Sequence, residues 1–407
     1  MRGMSTRQKT ILIIASYEKG HEFVRTCKRE GWKVVLLTSA SLEHDHKWPS
    51  DSIDELFYMK DEAKVWNPAD TLKAVSYLAR QREFDRIVPL DDFDLEIAAM
   101  LREHLRIPGM GDTTTRYFRD KLAMRTRAQS AGLRVPDFVH LLNDDRINAF
   151  TERVPAPWVV KPRSSAGAIG IKKAASKEQL WEVIDALGDE RPGYVLERYV
   201  RGDVFHVDSL IHDSRVVFQR ASRYGRPPLD VSHGGDVFTS RNLPPATDDS
   251  RALLEMNTLV LGAMRLVRGS SHTEFIRGAD DGQLYFLETS ARVGGAHIAE
   301  MIEAATGLNP WREWARVELA GEDGHYVLPP IRDEYAGLLV SLARQESPDT
   351  SGFDDPEIVW RLDKKHHIGL IVRSTSPSRV EELLDKYVDR VRADFHAAAP
   401  PQDRPTD

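Results

Sequence analysis

The sequence is short of several things, and each shortage removes a class of protein. One cysteine, Cys27, stands among 407 residues, so the chain forms no internal disulfide and offers no cysteine cluster to a metal. Cys27 shares an apolar helix face with Phe23 and reads as a buried filler. Long apolar runs are missing too: ILIIA and VVLL fall far short of the roughly 20 residues that span a bilayer. Positive charge is not in excess. Lys and Arg number 56 against 63 Asp and Glu, a net charge of −7, which argues against bulk nucleic-acid binding. The opening MRGMSTRQKT leads into a strand rather than an apolar export region, so a cytoplasmic location is expected. The first strand–helix turn, Ala15 to Gly20, has no G-x-G-x-x-G, and a dinucleotide site has no support.

What is present is the composition of a soluble globular protein, 41% hydrophobic and 29% charged. A chain this long divides into about two to four domains. Residues 10–115 alternate short apolar strands with helices, the pattern of a doubly wound parallel sheet. Asp91, Asp92 and Asp94 follow the carboxyl end of one strand, where open α/β sheets bind ligands; a solvated loop capping the next helix is the competing reading. From residue 119 a helix carrying Lys121 leads to the strand PWVVK, which ends on Lys161. The small-residue loop after it includes Ser164, Ser165, Gly167 and Gly170. It is no G-x-x-x-x-G-K-[ST] loop, yet its backbone N–H groups can fold over phosphates. In the strand YVLERYV, Glu197 interrupts an apolar run beside Val200. His206 and Asp208 share a strand face, where a buried hydrogen bond competes with a ligand role. A long polar stretch, 223–243, offers His233 and Arg241 as ligand groups. After residue 321 the pattern becomes that of a small α+β module, followed by a Pro- and Ala-rich tail.

The most informative stretch is SHTEFIRGADDGQLYFLETSARVGGA, residues 271–296. Two extended runs flank an Asp-Asp-Gly turn and read as a hairpin. Each run places a carboxylate, Glu274 or Glu288, where a core strand carries an apolar side chain. Positions two apart share a strand face, so Glu288, Ser290 and Arg292 project together and Glu274 reaches them from the paired strand. Two nearby carboxylates repel unless a hard cation lies between them, and Arg292 suits phosphate oxygens. A surface hairpin with solvated charges is the alternative.

Taken in order, these elements resemble the ATP-grasp superfamily of carboxylate–amine ligases, in its biotin-carboxylase-like and L-amino acid ligase-like branch. The resemblance covers about residues 10–395 and rests on the order of its motifs. It implies an N-terminal doubly wound α/β domain (1–118) and a two-lobed ATP-grasp domain (119–325), with a small lobe at 119–200 and a large lobe at 201–325. A C-terminal α+β module (326–395) and a disordered tail (396–407) complete the expected chain. Lys121 in RDKLAMRTRAQSAGL matches the first phosphate-binding lysine. Lys161 in VVKP matches the second, with the glycine-rich lid at 164–170. Glu197 and Val200 in LERYV match the adenine hinge. Glu274 and Glu288 match the magnesium (or manganese) carboxylates, and Arg292 the catalytic arginine beside the transferred phosphate. Two positions depart from the pattern. Ser290 stands where the family carries Asn as a metal ligand. The ribose-binding acid falls one place after Asp203, where this chain has Val204, so Asp203 is the expected substitute. The phrases GDVFHVDSL and ARVGGAHI resemble a subgroup of amino-acid and dipeptide ligases, with His233, Arg241 and His297 as candidates for holding substrate.

The resemblance implies an enzyme that activates a carboxylate as an acyl phosphate with ATP and Mg²⁺. It then joins the carboxylate to an amine, releasing ADP and phosphate. Its partners are small-molecule carboxylates and amines, without nucleic acid or membrane, and a homodimer is left open. A carboxylase-type or other acyl-phosphate ligase acting on a non-amino acid is one alternative. A nucleotide-binding regulatory protein without turnover is another, and a phosphotransferase a third.

Overall fold

Runs that are apolar on both faces become interior parallel strands, because helices must cover each side of such a sheet. In the computed structural model of the protein, which describes residues 7–165, 167, 169–320 and 324–398 and only the backbone of 232–234, this holds for β1 (Thr10–Ala15) and β2 (Lys33–Ser39). With β3 (Glu55–Met59) and β6 (Arg86–Pro89) they form a parallel sheet in the order β3-β2-β1-β6. A two-residue hairpin, β4 (Asp61–Glu62) and β5 (Val65–Trp66), lies between. Helices α1 (His21–Arg29), α2 (Pro68–Leu78), α3 (Leu95–Leu105) and α4 (Asp112–Arg116) complete this part. Cys27 is fully buried beside Phe23, as expected. Gly20 precedes α1 with φ 72°, and a Cβ there would lie 2.9 Å from Leu90, so glycine serves both turn and packing.

The next segment is α5 (Lys121–Ser130), β7 (Phe138–His140), α6 (Asp144–Arg153), β8 (Trp158–Pro162), β9 (Lys172–Ala174), α7 (Lys177–Leu187) and β10 (Tyr194–Arg198). Its antiparallel sheet runs β7-β10-β8-β9. Asp120 caps α5 by accepting from Leu122 N and Ala123 N, Asn143 caps α6, and Ser176 caps α7.

The largest sheet has eight strands in the order β15-β14-β11-β12-β13-β16-β18-β17, every pair antiparallel. Its strands are β11 (Gly202–His212), β12 (Arg215–Tyr224), β13 (Phe238–Asn242), β14 (Gly269–Gly278), β15 (Leu284–Ser290), β16 (Tyr335–Leu342), β17 (Ile358–Arg361) and β18 (His367–Ser374). Alternation along β11 sorts two cores. Phe205 and Val207 pack with α9 (Asp248–Met264) and α5, while Val204 and Leu210 face α10 (Ile298–Thr306) and α11 (Pro310–Ala320). Helix α8 (Pro228–Gly234) connects β12 to β13, and α12 (Pro377–Asp394) covers the far end of the sheet.

The expected α/β and α+β multidomain class is therefore observed, with two refinements. The three C-terminal strands do not form a sheet of their own, because β16 pairs with β13 and extends the large one. The tail does not begin free at 396: His396 bridges Ala343 and bonds Ser341 Oγ at 2.8 Å, while 399–407 lie outside the described residues. Among the described residues no helix is long and apolar enough to cross a membrane.

Gly337 in β16 sits under α12, where a Cβ would come within 2.7 Å of both Leu384 and Val380. Gly337→Ala should destabilise the chain by about 1–3 kcal/mol through overpacking, read as a lower midpoint in urea unfolding.

Candidate active site

Between the two antiparallel sheets lies a cavity of about 490 Å³. The hairpin β14–β15 forms its floor. His272 pairs with Ser290 and Glu274 with Glu288 across the ladder, after which the register slips so that Phe275 faces Phe286. The slip leaves Leu287 as an extra residue, a bulge that turns both Leu287 and Glu288 toward the cavity. At a cross-strand spacing of about 5 Å and an effective dielectric constant of about 20, two carboxylates repel by roughly 3 kcal/mol. Each therefore has its own partner. Lys121 Nζ lies 2.9 Å from Glu288, and Tyr224 donates to Glu274 at 2.8 Å. Burial opposes the charge on Glu274, but His272 and Tyr224 lower its pKa.

Lys121 also donates to Ser165 O at 2.7 Å, tying helix α5 to the loop after β8. Ser165 and Gly167 line the cavity, whereas Ser164 contributes its carbonyl to Arg119 at 2.8 Å. Gly167 and Gly170 adopt φ of 69° and 72°, a left-handed backbone that favours glycine. Ala166 and Ala168 of the expected lid lie outside the described residues.

Glu197 is fully buried. Lys161 Nζ meets its carboxylate at 2.9 Å and Arg125 Nε at 3.0 Å. Burial pushes the Glu197 carboxyl up, but Arg125 and Lys161 outweigh it and hold it down at about 2. Both of its oxygens are therefore engaged by cations. Tyr199 and Val200 beside it line the cavity with Val159 and Ile171, a narrow apolar wall.

Arg292 reaches the cavity from beyond β15 and is held by Asp92, with Nε–Oδ2 at 2.6 Å. Burial works against the guanidinium, yet Asp92 and Asp91 raise its pKa. Asp91, Asp92 and Asp94 are all buried, which corrects the solvated-loop reading. Asp91 pairs with Lys19, Asp94 accepts from Ser16 N, and Asp92 reaches Arg292, 200 residues away.

Other expectations need correction. Asp203 points away from the cavity, because it shares a strand face with Phe205, and it pairs with Arg223 at 2.8 Å. Val204 occupies the cavity side instead. Arg241 is bound to Glu381 of α12, so substrate contact has no support there. His297, at φ 64°, turns its ring to Trp360, with centroids 4.7 Å apart. The side chain of His233 lies outside the described residues. Sequence reasoning missed Arg119, Arg125, Tyr224 and His272, and the pairing of Asp92 with Arg292, since each gains its role from a partner far along the chain.

No family model matches the chain. It is 26% identical over 371 residues to the L-arginine-specific L-amino acid ligase of Bacillus subtilis, covering 81% of this chain and 86% of that protein. A D-alanine–D-alanine ligase of Ralstonia pickettii is 26% identical over 260 residues, 61% of this chain and 77% of its own. Among solved structures, an L-amino acid ligase from Bacillus licheniformis superposes with a TM-score of 0.72 at 19% identity, over 96% of this chain and 99% of that one. An N5-carboxyaminoimidazole synthetase of Staphylococcus aureus complexed with ADP gives 0.69 at 17% identity, over 95% and 98%. The fold is that of the ATP-grasp proteins, and two of the curated proteins the chain resembles are amino-acid ligases.

Arg125 and Glu197 form a buried ion pair, so Arg125→Ala should cost about 3–5 kcal/mol by stranding a charge. Because the Glu197 pKa is depressed from 4.5 to about 2, its stabilisation is complete above the unfolded value and is lost as pH falls toward 2. Urea unfolding of wild type should therefore weaken between pH 4.5 and 2, and a Glu197→Gln variant should lose part of that slope.

Proposed function

We propose that the protein activates the carboxylate of an amino acid as an acyl phosphate at the expense of ATP and joins it to an amine, with ADP and phosphate as products. The observation that carries this reading is the pairing of Glu274 with Glu288 across one ladder, at the floor of a cavity that Lys121, Lys161 and Arg292 also line. The amino-acid class rests on the likeness to the Bacillus subtilis ligase.

The donor set fits a hard divalent ion. Two carboxylates face one another with a serine hydroxyl at the next position on the same face, and oxygen ligands of this kind suit Mg²⁺ or Mn²⁺. Glu274 and Glu288 would hold the ion, which supplies charge neutralisation for the phosphates. Lys121 and Lys161 place two further positive charges at the same cavity. The apolar wall of Val159, Ile171 and Val200 suits a planar base.

A carboxylate is a poor electrophile until its oxygen carries a phosphoryl group. Positioning and charge neutralisation do most of the work in that transfer. Arg292, fixed by Asp92, faces the cavity where charge develops, first on the transferring phosphoryl group and then on the adduct formed by the amine. Ser165, Gly167 and Ile169 line the cavity, a wall suited to excluding water from a hydrolysable intermediate.

Purified protein given Mg·ATP and pooled amino acids should form ADP and free phosphate only when amino acids are present. AMP, or ADP without phosphate release, would overturn the reading. Glu288→Gln should abolish this turnover while the far-UV spectrum and unfolding midpoint stay near wild type; normal turnover would sink the metal assignment.

A further inference from the structure

Glu274 is supported by a buried chain of hydrogen bonds that the reaction above does not use. Tyr224 OH donates to Glu274 Oε1 at 2.8 Å, and His272 Nε2 stands 3.2 Å from the same hydroxyl and 3.6 Å from Glu274. His272 Nδ1 bonds Asp208 Oδ1 at 2.8 Å, and the other oxygen of Asp208 bonds His206 Nδ1 at 2.6 Å. His206 Nε2 ends the chain on Ser240 Oγ at 2.7 Å. The chain thus crosses four adjacent strands, β14, β11, β12 and β13.

Three features make it a support rather than a metal cage. Both ring nitrogens of each histidine face hydrogen-bond partners. Every member from Tyr224 to Ser240 is buried, so the geometry is fixed by packing. Gly294 backs onto it, and a Cβ there would lie 2.7 Å from Asp208 Oδ1 and 3.0 Å from His272 Nδ1. The glycine in ARVGG therefore leaves room for the Asp208–His272 bond.

The two floor carboxylates differ in what holds them. Glu288 is held by Lys121, a cation that arriving phosphates would also draw on. Glu274 is held by Tyr224 and His272, and His272 is bonded in turn to Asp208 within the sheet. Groups that orient a metal ligand from behind tune affinity for the ion.

We propose that Tyr224 and His272 are positioning residues that fix Glu274 as a ligand for the divalent cation, with Asp208, His206 and Ser240 holding them in turn. This rests on the metal reading of Glu274 given above. The test uses the full chain with ADP and titrates Mn²⁺, following the free ion by electron paramagnetic resonance. Tyr224→Phe keeps the ring and deletes one donor. It should weaken Mn²⁺ binding by about tenfold or more, leaving ADP affinity in EDTA and the unfolding temperature unchanged. Turnover of this variant should return toward wild type at saturating Mn²⁺, a change in metal requirement and not in maximal rate. His272→Gln should weaken Mn²⁺ binding in the same direction. Wild-type Mn²⁺ affinity in Tyr224→Phe would overturn the positioning role while leaving the metal reading intact. A parallel loss of metal-free ADP affinity or of thermal stability would also overturn it, as a sign of general collapse. Absence of Mn²⁺ binding by the wild-type protein would overturn the metal reading and this inference with it.

Discussion

Two carboxylates set opposite each other in a β-ladder constrain much of this molecule. Glu274 and Glu288 occupy positions that a core sheet gives to apolar side chains, and their mutual repulsion has to be offset before any ligand arrives. The structure does this from both sides. Lys121, at the start of a helix capped by Asp120, meets one carboxylate; Tyr224 and a buried His–Asp–His chain meet the other. A bulge at Leu287 turns Glu288 into the cavity at the same point.

The second dependency runs between distant parts of the chain. Arg292 is aimed by Asp92, a carboxylate from the loop after the last strand of the N-terminal parallel sheet. Asp91 and Asp94, its neighbours, are buried and bonded to the first strand–helix turn. The N-terminal sheet therefore does more than precede the cavity: it supplies the anion that keeps the arginine oriented. Glu197 plays the matching part on the opposite wall, where it holds Lys161 and Arg125 together in a site that water does not reach. Each cation of the cleft, Lys121, Lys161 and Arg292, is thus paired with a carboxylate, so its position is fixed by the fold.

How much of this was legible depended on whether a feature was local. The hairpin was, because an Asp-Asp-Gly turn and period-two alternation are short-range signals, and they put Glu288, Ser290 and Arg292 on one face. Helix α5 was legible from Asp120 and the strand β8 from PWVVK. The strand β3 was not read, since ELFYM is half-buried along its length at the sheet edge and lacks a continuous apolar run. Asp203 falls on the face away from the cavity because one residue of register decides which face a strand residue takes. Arg241 and His297 were plausible ligand groups in the sequence until Glu381 and Trp360 came from the C-terminal strands and helix to meet them.

The sequence by itself determined the order of elements, the two carboxylates of the hairpin, the lysines at the helix start and strand end, and the arginine two residues past the hairpin. These follow from periodicity and spacing, which act over a few residues. Only the tertiary structure decided which charges meet. Asp92 with Arg292, Arg125 with Glu197, and His272 with Asp208 join positions tens to hundreds of residues apart. Burial makes those pairings obligatory, because a charge removed from water must find a partner, and no local pattern records where that partner lies.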